Sequence, residues 1–561
     1  MPKILRIDLA RSAVAETAVP EAYHLLGGRA LTSRIVLDEI DPRGHPLSPA
    51  NRLVFAPGLL GGTAVTTSGR TSFGAKSPLT GGIKEANVGG TLGHRLARLG
   101  LKAVVIEGEP PDHRWRLLRI GPEGCALESA DGLAGLGTYD TVARLLQNPR
   151  TQTVVCIGPA GEHRVAAASI AVSDPEGRPT RHAARGGLGA VMGAKRIKAI
   201  VVDDGGAKNV PSADPEAFRS AMLAFSGVVR EDPRTQNLSK YGTAGVIRFV
   251  NRENVMSMPT RNHRAGAFAG ADAISGQRIA DLAPERGGKM LPCMAGCIIK
   301  CAILFNDAGG QHVTTALEFE TIGLLGSNLE IDDLDAVARL DRLCDDLGLD
   351  TIEMGNAMGV AMEAGVARWG DWQAVEALLG EVRAGTPLGR ILGGGTEHVA
   401  RTFGIDRVPA VRGQGLPAWE PRTLKAMGIT YATSPQGADH TAGLVTARGV
   451  TTETLLKSSQ HEQVLMAVID SAGLCQFSNP SLRDMAGLLS AHLGERVTEN
   501  DLSALGKRVL RDERAFNLRA GFGRDADLLP AFLREEPLPT SDGPQAFDIP
   551  DEAIDRFWET L

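Results

Sequence analysis

The chain has 561 residues, of which 43% are hydrophobic and 22% charged, and its formal net charge is −6. These values are typical of a globular protein of about three or four domains and exclude a disordered chain. Scarce aromatic residues and a mildly acidic balance argue against nucleic-acid binding. No apolar run reaches the roughly 18 residues of a transmembrane helix, and no signal-peptide core is visible. Seven scattered cysteines do not suggest a disulfide framework, so we expect a cytoplasmic protein without a membrane partner.

Hydrophobic patterning divides the chain into three predicted domains. Residues 1–208 are rich in glycine and predict a β-rich domain, with strands in four runs: Lys3–Leu9, Ala103–Glu107, Thr153–Gly158 and Lys198–Asp203. Residues 209–407 and 408–561 predict two mainly helical domains, with apolar residues at helical spacing in Leu334–Gly365, Trp372–Leu392, Glu462–Ala472 and Leu502–Gly521. The fold class predicted is therefore α+β.

Cysteines form the strongest local signal. Three fall within nine residues and a fourth lies far downstream: Cys293, Cys297, Cys301 and Cys475. Three clustered thiols with one distant thiol are typical of a [4Fe–4S] cluster, which would tie two parts of the chain together. A structural zinc site and unligated buried thiols remain open as alternatives. We predict that the other three are buried thiols: Cys125, Cys156 and Cys344.

Two glycine-rich stretches, Gly69–Gly93 and Thr180–Lys198, contain arginine and lysine among their glycines. Backbone N–H groups next to guanidinium groups favour anions, so a phosphorylated ligand is the natural expectation. Neither stretch is a P-loop, because Gly193-Ala-Lys195-Arg196 lacks the Ser or Thr that must follow the lysine. Structural turns are the alternative explanation.

A six-residue pattern, D-x-x-G-L-(D/C), occurs twice, at Asp345–Asp350 and at Asp470–Cys475. Two similar loops suggest two similar ligands held about a pseudo-two-fold axis. Each loop also suits the end of a helix with glycine just beyond it. Asp350 would in addition suit a helix N-cap, with Glu353 as its capping-box partner.

Taken together, these segments resemble the aldehyde:ferredoxin oxidoreductase family of tungsten enzymes over nearly the whole chain. The segments that carry the resemblance are Gly69-Arg70, Lys76–Gly81, Asn87–Gly90, Arg185–Gly193, Glu318–Thr321, both D-x-x-G-L loops and the cysteine set. The resemblance implies a β-rich domain covering the cofactor, followed by two helical domains. It implies tungsten, or molybdenum, held by the dithiolene sulfurs of two pterins, with a [4Fe–4S] cluster beside one of them.

The resemblance also implies roles for individual residues. In the first glycine-rich stretch, the residues that approach the pterin phosphates and a bridging Mg²⁺ are Arg70, Asn87 and Gly89. The second stretch matches the family at Arg181, His182 and Ala184. The loop and loop-adjacent residues expected to hold the pterins are Asp345, Leu349, Asp350, Gly437, Asp470 and Leu474. The four cysteines named above would bind the cluster.

This sequence departs from the family pattern at three places. The first cysteine gap has three residues instead of two, and we still expect a cluster. A lysine and an arginine near the second pterin align with Ala442 and Gln436, which puts that phosphate contact in question. The residues that bridge an iron between subunits in some members align with Arg339 and Arg390, so that iron is predicted to be absent.

The implied reaction oxidises an aldehyde to a carboxylic acid with oxygen from water. Glu320 would act as base, with Glu318 as a competing candidate, and His440 would hydrogen-bond the carbonyl oxygen. Electrons would leave through the cluster to ferredoxin or a ferredoxin-like subunit. Three alternatives remain: a relative with another substrate, such as one reducing aromatic rings in a larger complex, a non-catalytic pterin carrier, and a zinc-stabilised binding protein. A homo-oligomer and a hetero-complex are both open.

Overall fold

The computed structural model describes residues 2–251 and 256–561. Its strands lie mostly before residue 204, where all four predicted runs form strands. The elements of this part are β1 Lys3–Asp8, β2 Ala13–Ala18, α1 Gly28–Glu39, β3 Leu53–Pro57, β4 Thr71–Lys76, β5 Ile83–Val88, α2 Leu92–Arg98, β6 Leu101–Glu107, β7 Arg116–Gly121, β8 Gly124–Ser129, α3 Thr138–Leu145, β9 Gln152–Cys156, α4 Pro159–Glu162, β10 Ile170–Val172, β11 Arg181–Ala183, α5 Leu188–Ala194 and β12 Ile197–Asp203.

This part is an internal duplication. Its two six-stranded sheets have the orders β2-β1-β6-β3-β4-β5 and β8-β7-β12-β9-β10-β11, which are the same order with strands renumbered. In each sheet one pair is parallel, β1 with β6 and β7 with β12, and the other pairs are antiparallel. We call residues 3–107 the first half and residues 116–203 the second half.

The two halves share one apolar core, and their edge strands β5 and β11 pack side by side. Phe55 and Phe73 stack at a centroid distance of 5.1 Å in the first half, and Val155 and Ile200 pair in the second. Fully buried β-branched and aromatic residues favour these strands because their side chains fill both faces of a pleated sheet. The contact between β5 and β11 therefore brings the two glycine-rich stretches together.

From residue 215 the chain is mainly helical, as predicted. The elements are α6 Pro215–Glu231, α7 Pro233–Tyr241, α8 Ile247–Val250, α9 Gly276–Arg286, β13 Lys289–Leu291, β14 Ala302–Asn306, β15 His312–Thr314, α10 Phe319–Leu325, α11 Leu334–Leu347, α12 Thr351–Glu363, α13 Trp372–Ala384, α14 Pro387–Gly393, α15 Thr396–Phe403, β16 Ala410–Val411, β17 Gln414–Gly415, α16 Lys425–Thr433, α17 Thr452–Ala472, α18 Leu482–Leu493, α19 Glu499–Ala520, α20 Phe532–Glu535 and α21 Asp551–Thr560. The α+β fold class is confirmed. Among the described residues, no helix is both long enough and apolar enough to cross a membrane.

The structure corrects two local expectations. Asp350 does cap α12, accepting a hydrogen bond from the Ile352 backbone at 2.9 Å. The capping box with Glu353 is wrong, however, because that carboxylate accepts bonds from the backbone nitrogens of Thr396 and Gly415 at 2.7 Å each. Cys125 is only partly buried, since it lies on the edge strand β8.

Candidate functional site

The first D-x-x-G-L loop docks on the second half. Helix α11 ends at Gly348, whose φ of 71° is left-handed, as the helix-end alternative predicts. The Gly348 carbonyl accepts a bond from Ser169 at 2.8 Å, and the Asp350 nitrogen donates to Ala167 at 3.0 Å. A Cβ on Gly158, just after β9, would lie 2.2 Å from the carbonyl oxygen of Leu347. Only glycine permits this close approach.

The second loop docks on the first half at the equivalent place. Helix α17 ends at Gly473, with a φ of 79°, and the Gly473 carbonyl accepts a bond from the Arg70 nitrogen at 3.1 Å. The Leu59 nitrogen donates to Ser471 at 3.0 Å. A Cβ on Gly58, just after β3, would lie 2.1 Å from the Gly473 nitrogen. The two loops thus occupy pseudo-symmetric positions, which fits the hypothesis of two similar ligands.

The clustered cysteines lie in one hairpin loop. Strands β13 and β14 pair from Lys289 to Leu304, and the chain between them contains Cys293, Cys297 and Cys301. Cys293 and Cys297 are buried and Cys301 is partly buried. The hairpin base fixes both ends of the loop, so the three thiols are confined to one small region.

A pair of threonines connects this loop to the fourth cysteine. Thr66 donates to the Gly296 carbonyl at 3.0 Å and accepts from the Ile298 nitrogen at 3.3 Å. The adjacent Thr67 carbonyl accepts a bond from the Cys475 nitrogen at 3.0 Å. Cys475 therefore reaches the hairpin loop through the first half of the β-rich domain.

Two buried arginines influence the thiols. A hydrogen bond with Cys297 lowers the pKa of Cys293 to about 6, and the charges of Arg181 and Arg70 act in the same direction. Burial raises the pKa of Cys475 to about 11. Within residues 2–251 and 256–561, no three His, Cys, Asp or Glu side chains converge on one point as ligands of a single ion. A four-iron cluster does not require such convergence, because each cysteine binds a separate iron.

Strands β5 and β11 carry the polar residues that flank these cysteines. Arg70 donates from Nε to the Oδ1 atom of Asn87. A Cβ on Gly89 would lie 3.5 Å from Cys293 Sγ and 3.7 Å from Arg181 Cδ. The two glycine-rich stretches and the cysteine loop therefore meet at Gly89.

The second stretch also contacts the first loop. His182 Nε2 lies 3.2 Å from Asp345 Oδ1, while its Nδ1 is 2.8 Å from Ser169 Oγ. Ala184 follows β11 and is partly exposed. Leu349 and Leu474 are fully buried in apolar clusters, so their side chains serve packing.

Glu320 and His440 face each other. Glu320 lies in the first turn of α10, where its Oε2 accepts a bond from the Ala418 nitrogen at 2.7 Å. Its Oε1 is 3.6 Å from His440 Nε2, and the Glu320 side chain is 13% exposed. Burial raises the pKa of Glu320. Glu318 differs, because its side chain is 44% exposed and pairs with Arg181 at 3.1 Å. Glu318 thus lies on the cysteine side.

Sequence reasoning missed two buried cations that hold the segment around His440. Lys84 pairs with Asp439 at 2.7 Å, and both side chains are buried. Arg185 donates to the carbonyls of Ala438 and Gly415 at 2.6 Å each. Although burial alone would raise it, the charges of Lys84 and Arg185 hold the pKa of Asp439 well below its usual range. The available signal was a lysine in strand β5, where buried charges require partners.

Two predicted departures lie away from these groups. Arg339 is mostly exposed and pairs with Glu376, and Arg390 is exposed as well.

Ala442 is buried in the short turn after His440. Gly437, at a φ of 84°, sits three residues before His440 and lies against the Gln414 side chain.

Among the residues that the structure describes, several predicted site residues and their neighbours carry buried polar atoms without a protein partner. They are Glu85 Oε1, Glu320 Oε1, Asp341 Oδ1, Asp345 Oδ2, Gln414 Oε1, Gln436 Nε2 and His440 Nδ1. An unsatisfied buried polar atom costs free energy, so such a concentration indicates a polar ligand. These donors and acceptors, with Arg70, Arg181 and the Gly89 contact, fit the polar, phosphorylated pterins that the resemblance implies.

Comparisons with known proteins agree with this geometry. The family models for the aldehyde ferredoxin oxidoreductase N-terminal domain and domains 2 and 3 match residues 4–204 and 221–561. The tungsten-containing aldehyde ferredoxin oxidoreductase of Pyrococcus furiosus is 34% identical, over 96% of this chain and 92% of the relative. That of Thermococcus kodakarensis is 33% identical with the same coverage.

Two more distant proteins show how varied the similar proteins are. An aliphatic sulfonate oxidoreductase, WOR-like subunit, of Pyrococcus furiosus is 26% identical over 96% of this chain and 90% of the relative. The solved active-site complex BamBC of benzoyl coenzyme A reductase shares the fold, with a TM-score of 0.81 and 21% identity over 94% of this chain and 90% of that one. From the family models and the curated relatives, we conclude that the chain belongs to the aldehyde ferredoxin oxidoreductase family of oxidoreductases.

Proposed function

We propose that this chain is a tungsten–bis-pterin enzyme of the cytoplasm that oxidises an aldehyde to its carboxylic acid, with water as the oxygen source. The observation that carries the proposal is the facing pair of Glu320 and His440, each with a buried atom that lacks a protein partner. The tungsten-containing aldehyde-oxidising relatives at 33–34% identity support it. Molybdenum could take the same dithiolene ligands.

The chain would hold the cofactor between the two halves of the β-rich domain. Arg70, Asn87 and Gly89 on one side, and Arg181 with His182 on the other, would hold the pterin phosphates together with Mg²⁺. The two D-x-x-G-L loops, with Asp345 and Asp470, would each contact one pterin. When bound, the metal–dithiolene centre accepts the two electrons that the aldehyde gives up.

Glu320 acts as the base. Its Oε2 is fixed by the Ala418 nitrogen, while the unpartnered Oε1 is free to take a proton from water. Burial raises its pKa, which makes the carboxylate a better proton acceptor than an exposed glutamate. The proton passes to Oε1 as the water oxygen bonds to the carbonyl carbon.

His440 stabilises the carbonyl oxygen. Its Nδ1 has no protein partner and can donate to the oxygen on which negative charge develops. The preceding residue, Asp439, accepts a bond from the Thr441 nitrogen at 3.0 Å and is itself held by Lys84. These bonds fix the chain on both sides of His440.

The four cysteines would bind a [4Fe–4S] cluster that receives electrons one at a time. Cys293 Sγ lies beside Gly89, between the predicted pterin-binding stretches and the hairpin loop. Residues 295 and 296 of that loop are exposed. Ferredoxin or a ferredoxin-like subunit would accept the electrons there. This chain would then work either as a homo-oligomer that meets ferredoxin or as part of a hetero-complex.

The test is turnover of anaerobically purified protein with a panel of aldehydes and a one-electron dye, after counting tungsten, molybdenum, iron and zinc per chain. Glu320→Gln and His440→Asn should retain the metals and lose most of the turnover. Glu495→Gln and His461→Asn, at surface positions, serve as matched controls. Metal-loaded protein that oxidises no aldehyde, or turns over only sulfonates or aromatic thioesters, would reject the aldehyde assignment. Zinc without tungsten or molybdenum would reject the cofactor.

A further inference from the structure

His263 is a fully buried histidine that the mechanism above does not use. It ends a run of three consecutive residues with left-handed backbone, since the φ angles of Arg261, Asn262 and His263 are 54°, 50° and 58°. Residues other than glycine rarely adopt this conformation, and it persists only where the surrounding structure determines it. The contacts around His263 must therefore outweigh a backbone cost.

Each ring nitrogen of His263 faces an oxygen. Nδ1 lies 3.2 Å from Glu420 Oε2, and Nε2 lies 3.1 Å from Asn356 Oδ1. The Asn356 amide nitrogen donates to the carbonyls of Ile352 and Leu416, at 3.0 and 2.8 Å, which fixes the amide with its oxygen toward the ring. A carboxylate and an amide oxygen are both acceptors, whereas a neutral imidazole has one N–H. Both ring nitrogens must therefore carry a proton, which makes the side chain an imidazolium.

Glu420 supplies the negative charge that this cation requires. It is fully buried, and Arg422 donates to both of its carboxylate oxygens, at 2.8 and 3.0 Å. Although burial alone would raise it, the charge of Arg422 and the hydrogen bond with His263 hold the pKa of Glu420 well below its usual range. The other charged residues of this cluster are Arg264, Glu363, Arg407 and Glu536.

The two partners of His263 hold one segment, residues 416–420, at both of its ends. Asn356 binds the carbonyl of the first residue of the segment. Glu420 is the last residue of the segment, and its carboxylate binds the ring directly. The imidazolium therefore connects the two ends of a five-residue stretch of chain.

The middle of this segment fixes the proposed base. The Ala418 nitrogen donates to Glu320 Oε2 at 2.7 Å. Burial raises the pKa of Glu320, while the charge of His440 and the bond from Ala418 lower it, and the other charges acting on it include Arg185 and Asp439. A displaced segment would weaken this bond, move the carboxylate and raise its pKa further.

We propose that His263 is a positioning residue, held as an imidazolium, whose two hydrogen bonds fix the 416–420 segment and thereby the Glu320 carboxylate. This inference rests on the proposed function, because it takes Glu320 as the base. A neutral glutamine at position 263 can satisfy one of the two acceptors but not both, so one end of the segment loses its support.

The charge of His263 is measured by ¹⁵N NMR of holoenzyme labelled at histidine, with His263→Gln identifying the signal. We expect both ring nitrogens to carry a proton at pH 7. A ring nitrogen without a proton would overturn the inference, because a neutral ring cannot donate to both partners.

The positioning role is measured by steady-state kinetics of His263→Gln and Asn356→Asp. The aspartate keeps an acceptor for the ring but cannot donate to Leu416. Both variants should retain tungsten and pterin and lower kcat, by up to about a hundredfold, with little change in KM. The acid limb of the kcat–pH profile should move to higher pH, because Glu320 loses a bond that lowers its pKa. His461→Gln, at an exposed position on α17, is the matched control and should behave as wild type.

A lower melting temperature with wild-type kcat and an unmoved acid limb in both variants would show a merely structural role and overturn the inference. If His263→Gln does not fold, Asn356→Asp and the wild-type NMR spectrum decide. Wild-type protein that binds tungsten and oxidises no aldehyde would instead reject the proposed function. The NMR spectrum would still report the charge of His263, so the two failures are distinguishable.

Discussion

The two halves of the β-rich domain have the same strand order but different connections to the helical part. Each receives one D-x-x-G-L loop against a glycine, Gly58 in the first half and Gly158 in the second. The loops differ in their last residue, which is Cys475 in one and Asp350 in the other. The same docking of a loop against a glycine thus occurs twice, with a thiol at the end of one loop and a carboxylate at the end of the other.

The last residues of the two loops, Cys475 and Asp350, contact different parts of the molecule. Cys475 binds the Thr67 carbonyl and so reaches the cysteine hairpin. Asp350 caps α12 and pairs with Arg185 at 3.2 Å, and Arg185 continues to Ala438, two residues before His440. The first half therefore connects through Thr67 to the predicted exit for electrons. Both halves connect to the predicted position of the substrate, the first through Lys84 and Asp439 and the second through Arg185.

The largest effect that breaks this comparison is expected from Cys475→Ala. If the four cysteines bind a cluster as proposed, removing one of them should reduce iron from about four atoms per chain to a small fraction and abolish the visible absorbance of the cluster. Asp350→Ala, at the matched position, should keep the iron, although its lost cap and unpaired Arg185 lower the melting temperature. Iron analysis and thermal melts check both.

Cys125→Ala is the control, since Cys125 lies on edge strand β8 and outside the set of four cysteines proposed to bind iron. It should change neither iron nor absorbance. Full iron content in Cys475→Ala would show that the fourth cysteine is not a ligand.

The two contact glycines give a smaller, more symmetric test. A methyl group at Gly58 or Gly158 would meet backbone atoms at 2.1–2.2 Å, and each variant should lose about 1–3 kcal/mol of unfolding free energy. Gly58→Ala should in addition lose iron, because it displaces the loop that carries Cys475, whereas Gly158→Ala should not. Gly227→Ala, in open space on α6, should gain up to about 1 kcal/mol. Urea unfolding and iron analysis measure both effects. Wild-type unfolding free energy in both Gly58→Ala and Gly158→Ala would show that the close contacts of the two loops do not contribute to stability.

Local signals were sufficient to predict the class of fold. Alternation and glycine spacing predict strands β1, β6, β9 and β12, and the helical period predicts α11 and α13. The duplication was not predicted, because it is a matter of strand order over two halves of about a hundred residues each. Pairing between distant strands, such as β1 with β6, depends on tertiary contacts that no local pattern encodes.

Individual site residues were predictable, but their partners were not. Glu320 and His440 came from the family resemblance, and the structure places them 3.6 Å apart although they are separated by 120 positions in the chain. Glu353 shows the limit: its spacing from Asp350 predicts a capping box, yet the backbone of Thr396 offers a buried donor that competes successfully. Lys84 lies in the first glycine-rich stretch and Gln436 was identified only as a departure from the family pattern, so only the structure reveals their partners.

The smallest expected effect is a change in unfolding free energy with pH, which compares two buried acids, Glu85 on β5 and Asp341 on α11. In protein prepared without cofactor, burial is the main cause that raises the pKa of Glu85 to about 8 and that of Asp341 to about 7. Their ordinary values are 4.5 and 3.8, so between these limits the folded chain binds more protons than the unfolded chain. Stability must then fall as pH rises, by at most about 1.4 kcal/mol per pH unit for each group.

Glu85→Gln and Asp341→Asn should each flatten this decline, but over different ranges. In the folded chain the pKa of Asp341 is about 7 and that of Glu85 about 8, so Glu85→Gln should reduce the slope between pH 7 and pH 8 more than Asp341→Asn does. Urea unfolding at unit steps from pH 5 to pH 8 measures these slopes. Identical slopes in wild type and Glu85→Gln would show that the Glu85 carboxyl is neutralised within the protein, and would remove the need for a ligand donor at its free oxygen.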